Sequence, residues 1–206
     1  MHGKGLIEKY PMLWGGVFLL ALGWSAIEPR DRFTWWLEVA PAIAAIIILA
    51  ATRSRFPLTP LLYVLILVHA VILIVGGHYT YAEVPLGDWL RDLVGGERNN
   101  YDKLGHFAQG FVPAMVAREL LIRMHVMARR GWLPFLVLCI SLAISAFYEL
   151  IEWWAAILSG EGAEAFLGTQ GYAWDTQSDM MWALSGAIMA LILLSRTHDR
   201  QLSRLT

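Results

Sequence analysis

The 206-residue chain is 57% hydrophobic and only 16% charged, with a formal net charge of −1 and a mean hydropathy of +0.52. So little charge of either sign excludes a disordered chain and a nucleic-acid-binding chain. The apolar residues come in long blocks, which points to a membrane protein rather than a water-soluble enzyme. The one cysteine, Cys139, sits inside such a block, so no internal disulfide can form and an inert buried thiol is expected.

A membrane-spanning helix needs about 20 mostly apolar residues. Six blocks meet that description closely enough to predict an all-α, polytopic transmembrane helix bundle in one domain, with spans at 11–27, 33–52, 58–77, 102–124, 132–158 and 178–196. The first is short. Lys4 and Lys9 precede it and Ala21-Leu22-Gly23 is a weak cleavage pattern, so a signal peptide is the alternative there. The fourth carries Lys103, His106, Gln109, Arg118 and Glu119. Short interfacial helices are expected in the outer loops: Leu86 to Val94 places its apolar residues at helical spacing. The 159–177 loop is rich in glycine and reads as turns ahead of the last span.

Lys and Arg gather on one side of these spans: Lys4, Lys9, Arg53, Arg55, Arg123, Arg129, Arg130, Arg196, Arg200 and Arg204. The positive-inside rule puts that side, and both termini, in the cytoplasm. The opposite side is acidic, with Glu83, Asp88, Asp92, Glu97, Glu161 and Glu164. Trp35, Trp36, Trp89, Trp132, Trp153, Trp154 and Trp174 fall near the interfaces, where aromatic anchoring accounts for them.

Ionisable groups inside a span are costly and usually face the bundle interior. Asp102, His106 and Gln109 share one helical face of the fourth span, in its outer half. Glu149 and Glu152 share a face of the fifth, continued inward by Ser141 and Ser145. Asp175 and Asp179 open the sixth, Glu38 lies one turn into the second, and His78 closes the third. Polar groups at one depth on five spans do not follow from composition. Glu119 and Arg123, an i, i+4 pair near a helix end, read as a solvated or snorkelling face. His69, in the middle of the third span, reads as a buried neutral side chain bonded to a neighbouring helix.

Asp102-Lys103-Leu104-Gly105-His106-Phe107, Tyr148-Glu149-Leu150-Ile151-Glu152-Trp153, Gly168-Thr169-Gln170-Gly171 and Trp174-Asp175-Thr176-Gln177-Ser178-Asp179-Met180 together resemble the YjdF family of bacterial inner-membrane proteins. More distantly, the Asp-Lys-x-x-His-Phe opening is similar to that of VanZ-like membrane proteins, which are linked to glycopeptide resistance. The resemblance implies a six-span inner-membrane protein and supplies no activity.

Three functions compete. The first is an enzyme at the outer leaflet, with His106, Glu149 and Asp175 as catalytic groups. Gln109, Glu152, Asp102 and His78 would bind ligand, with Gln109 on the cavity floor and His78 or Tyr79 at its rim. A divalent metal would sit on His106, Glu149, Glu152, Asp175 and Asp179, since imidazole nitrogen and carboxylate oxygen suit Zn, Mn or Fe. Its substrate would be a lipid or an envelope precursor, and the reaction hydrolysis or group transfer. The second is a transporter or proton pathway, and the third a structural network between helices. Membrane lipids are the expected partners.

Overall fold

The computed structural model describes residues 11–159 and 169–205. Among these lie seven α-helices: α1 (Pro11–Ser25), α2 (Arg32–Thr52), α3 (Pro60–Tyr79), α4 (Pro85–Val94), α5 (Tyr101–Arg123), α6 (Leu133–Ser159) and α7 (Asp175–Leu202). Lys4, Lys9, Glu161, Glu164 and Gly168 lie outside the described residues. Local chemistry sets several boundaries. The Asp31 side chain caps α2 by accepting from the Thr34 N–H at 2.6 Å. Proline opens α3 and α4, where its missing N–H costs nothing. Gly95 ends α4 in the left-handed conformation at φ 67°.

Among the described residues, four helices are long and apolar enough to cross a membrane: Arg32–Thr52, Pro60–Tyr79, Arg130–Leu158 and Asp175–Leu202. The expected six spans are thereby corrected to four. Helix α1 has 15 residues, short of the roughly 20 a span requires. Helix α5 has the length, but Asp102, Lys103, His106, Arg118, Glu119 and Arg123 make it too polar to count. Instead α5 is wrapped by protein, with both its polar ends buried among the other helices.

Helices α5 and α7 form the tightest seam. A Cβ added at Gly110 would run into the Ala183 carbonyl, and one at Gly186 into the Phe107 carbonyl. Small residues thus let the two backbones approach, as in membrane helix pairs generally. Ala114, Met115, Ala187 and Ala190 continue this seam into a core with Leu62 and Val137. A second core joins Phe18, Trp35, Val39, Ala42, Ala70 and Ile74 from α1, α2 and α3. The Trp14 indole also donates to the Tyr63 carbonyl at 2.9 Å, tying α1 to α3.

The sheathing surface is apolar, as a lipid-facing one should be. Trp36, Trp89, Trp132, Trp153, Trp154 and Trp174 are exposed, whereas Trp35 is buried and donates to the Ser25 hydroxyl at 3.1 Å. Cys139 faces outward, contrary to the buried thiol expected from its apolar neighbours, although Val137 two residues before it lies in the core. His69 also departs from expectation, its Nε2 being buried without a hydrogen-bond partner. Helix α4 forms where an interfacial helix is expected and exposes Leu86, Trp89, Leu90 and Leu93 along one side.

Candidate metal centre

The turn before α5 is built to aim that helix. Asn99 is fully buried; its side-chain amide donates to the Val84 carbonyl at 2.9 Å and to Asp88 at 3.0 Å. Its carbonyl oxygen accepts from the Tyr101 N–H at 3.0 Å, while Gln170 brackets its backbone with two further bonds. The Tyr101 hydroxyl then fastens the first turn to the Ile72 carbonyl of α3 at 3.1 Å. From this fixed start, helical periodicity sends Asp102, His106 and Gln109 inward together.

His106 is the hub. Its Nε2 lies 3.3 Å from Asp102 Oδ1 and 3.9 Å from Asp179 Oδ1. Its Nδ1 lies 3.2 Å from Gln109 Oε1 and 3.8 Å from Glu149 Oε1. Carboxylate and amide carbonyl oxygens only accept hydrogen bonds, so Nε2 donates toward Asp102 Oδ1 and Nδ1 donates to Gln109 Oε1, and both ring nitrogens carry a proton. The Nδ1 edge also faces Glu149, and a metal bound there would take the place of the Nδ1 proton. Two groups around His106 have ligand atoms all within 4.8 Å of one another: Asp102, His106 and Asp179, and His106, Glu149 and Glu152.

The two groups differ in how far they are already satisfied. Lys103 Nζ lies 2.5 Å from Asp179, 2.7 Å from Asp175 and 3.3 Å from Asp102. Its ammonium therefore occupies the place a cation would take in the first group. Arg98 adds a second contact to Asp175 at 2.9 Å. In the second group, no lysine or arginine among the described residues pairs with Glu149 or Glu152. Glu149 Oε1 is buried without a hydrogen-bond partner, and so is Ser145 Oγ one turn below it. Buried polar atoms are nearly always paired, so an orphaned carboxylate oxygen marks a place for a ligand.

A cavity of about 20 Å³ adjoins His106, lined among others by Glu38, Tyr81, Gln109, Tyr148 and Glu152. That is room for about one water or ion. The Tyr148 hydroxyl donates to Glu38 at 3.2 Å. Tyr81 reaches the cavity because the backbone turns sharply at Thr80, at φ 57°. Its ring then fills space that a Cβ on Gly76 or Gly105 would occupy. Burial, with Glu38 beside it, pushes the Tyr81 hydroxyl well above its ordinary range and keeps it a donor.

The other sequence candidates are placed apart. Asp175 is held by Lys103 and Arg98 and belongs to neither His106 group. His78 does not line the cavity; its Nδ1 lies 3.0 Å from the Ser25 carbonyl, and its ring packs on Trp24 and Tyr79. Reasoning from sequence left Glu38, Lys103, Tyr81 and Tyr148 out of the site. Glu38 was visible through its depth and Tyr148 through its adjacency to Glu149, but Tyr81 had no signal.

A second polar cluster closes the opposite end. Glu119, expected on a solvated face, is fully buried. It accepts from the Thr59 hydroxyl at 2.8 Å, the Thr59 N–H at 3.1 Å, Arg123 at 2.7 Å and His198 Nε2 at 2.9 Å. Arg118 donates to His198 Nδ1 at 2.9 Å and to Asp199 at 2.6 Å. Arginine has no acceptor, so His198 carries its proton on Nε2 and gives it to Glu119. Here both carboxylate oxygens are satisfied, which is the mark of a clamp rather than a ligand site.

Residues 10–200 match the family described as "Predicted membrane protein (DUF2238)", and the chain belongs to that family. The chain is also 57% identical over 185 residues to the inner membrane protein YjdF of Escherichia coli (strain K12), a match covering 90% of this chain and 88% of that relative. No solved structure matches the chain. It is a multi-pass protein of the inner membrane.

Proposed function

We propose that His106 Nδ1, Glu149 and Glu152 hold a divalent metal ion, and that the centre carries out hydrolysis or group transfer on a membrane-borne substrate at the outer leaflet. The observation that carries this reading is the buried, unpartnered Glu149 Oε1 beside a histidine nitrogen. One imidazole with two carboxylates suits Zn²⁺, Mn²⁺ or Fe²⁺. When bound, such an ion supplies Lewis acidity toward water or a phosphoryl oxygen.

The chain's own residues have separate tasks. Asp102 holds His106 through the Nε2 edge, so that Nδ1 stays aimed at the glutamates. Lys103 neutralises Asp102, Asp175 and Asp179 and keeps them out of competition for the ion. Tyr81 and Tyr148 close the cavity against bulk water and leave room for about one water molecule.

The opposite end of the bundle carries Arg53, Arg55, Arg123, Arg129, Arg130, Arg196, Arg200 and Arg204. The positive-inside rule makes that the cytoplasmic end and puts the metal centre near the outer leaflet. A proton or cation pathway has less support. Between Gln109 and Arg118, α5 buries Val112, Ala114 and Met115, which break any chain of polar groups along it.

Elemental analysis of the purified full chain tests the reading. Wild-type protein is expected to retain about one equivalent of a divalent transition metal, as a single three-ligand site would. The Glu149→Gln, Glu152→Gln double variant should retain none. Metal-free wild-type protein that also fails to take up Zn²⁺ or Mn²⁺ on titration would overturn it.

A further inference from the structure

The end of the bundle opposite the metal centre is held together by Glu119, which ties the start of α3 to the ends of α5 and α7. The Gln201 side chain adds a further tie, accepting from the Leu61 N–H at 2.9 Å. Met127 and Leu133 pack on the core that contains Ala190, which brings the α5–α6 connection to the same end. Six arginines ride on these elements, all exposed: Arg55, Arg129, Arg130, Arg196, Arg200 and Arg204. The carboxylates at this end among the described residues are Glu119 and Asp199, and both are taken. Glu119 is shared by Thr59, Arg123 and His198, and Asp199 pairs with Arg118 at 2.6 Å. None of the six arginines therefore has an acidic partner among the described residues.

We infer that this end binds anionic phospholipid in the leaflet it faces, the guanidinium groups taking the phosphates at headgroup depth. Their charge is uncompensated, and a guanidinium fork matches phosphate oxygens. Lipid, rather than a polyanion in water, follows from what lies beside the arginines. In sequence, Met124 and Val126 precede the Arg129–Arg130 pair and Trp132 and Phe135 follow it, all four exposed. The Trp132 ring stands edge-on to Phe135, with centroids 5.8 Å apart. Such a segment suits the headgroup boundary, where the rings reach acyl chains while the charges stay at phosphate level. A nucleic acid or an acidic protein would cover the arginines and leave these four apolar side chains in water. Topology alone asks only that basic residues stay inside; uncompensated arginines at headgroup depth also make the chain select anionic neighbours. The metal centre lies at the other end and has no part in this binding.

The test titrates phosphatidylglycerol, and separately phosphatidylcholine with the same acyl chains, into the full chain in neutral detergent micelles and counts bound lipid by native mass spectrometry. Both lipids carry a phosphate, but only the first is anionic overall. Phosphatidylglycerol is expected to bind at least about tenfold more tightly, since each arginine near the surface contributes a few-fold. Combining Arg129→Gln, Arg130→Gln, Arg196→Gln and Arg200→Gln should abolish that preference. These side chains are exposed and hold no acid, so the variant should melt with the wild type. Arg30→Gln with Arg32→Gln removes charge from the opposite end and should leave the preference intact. Equal affinity of the wild-type chain for the two lipids would overturn the proposal. So would a preference that survives in the folded quadruple variant, or one lost in the Arg30, Arg32 variant. Displacement of the lipid by a short DNA oligonucleotide at near-physiological ionic strength would also overturn it, marking a site for a polyanion in water.

Discussion

Replacing Lys103 with methionine should lower the stability of the solubilised chain by about 3–5 kcal/mol, the cost of leaving buried charge uncompensated. Lys103 is buried and lies within 3.3 Å of three carboxylates, two of them on α7. Methionine keeps most of the side-chain volume, so the loss is electrostatic rather than a cavity. Adding Asp179→Asn to Lys103→Met should recover part of it, because one unpaired carboxylate is then neutral in shape-conserving form. Unfolding followed by circular dichroism in micelles measures all three proteins. A loss below about 1 kcal/mol, as for a solvent-exposed pair, would mean that Lys103 does not hold these acids in place.

Glu119→Ala should cost a similar amount, about 3–5 kcal/mol. The substitution strands the Thr59 N–H and the His198 Nε2–H in a fully buried setting and releases Arg123. It also uncouples the start of α3 from the ends of α5 and α7, since Thr59, Glu119 and His198 belong to those three elements. Glu149→Gln provides the contrast. In metal-free protein it removes a carboxylate oxygen that has no partner, so stability should hold or rise. Guanidinium-free thermal melts of the two variants distinguish a satisfied clamp from a site built for a ligand. Equal destabilisation by both would contradict that distinction.

Much of the fold was legible because hydrophobic blocks report helix position directly. Blocks 33–52, 58–77 and 132–158 fall within a few residues of α2, α3 and α6. Helix α7 runs further than its apolar block, from Asp175 to Leu202, because its polar ends are satisfied by Lys103 at one end and Arg118 at the other. The two overcounted spans have different causes. Helix α1 is apolar but, at 15 residues, too short, whereas α5 is long enough but polar, and is sheathed by other helices. Its polar residues are tolerated because α3, α6 and α7 supply partners for them.

The site was legible only as far as helical spacing reaches. Periodicity puts Asp175 and Asp179 on one face of α7, but one turn of height decides which acid approaches His106. Asp179 does, at 3.9 Å, while Asp175 is drawn to Arg98. Glu119 was misread because an i, i+4 acid–base pair is the ordinary sign of an exposed helix. Its burial depends on Thr59 and His198, 60 and 79 residues away in sequence. Tyr81 enters the cavity through a left-handed backbone turn at a threonine, which no local pattern announces.

Pulsed electron paramagnetic resonance of the Mn²⁺-loaded full chain, with histidines labelled with ¹⁵N, tests the metal centre most directly. Binding through His106 Nδ1, Glu149 and Glu152 predicts a saturable Mn²⁺ signal coupled to one histidine nitrogen. That coupling should vanish in His106→Ala and persist in His78→Ala, whose ring lies apart from the cavity. A nitrogen coupling unchanged in His106→Ala, or no saturable Mn²⁺ in the wild-type chain, would contradict it.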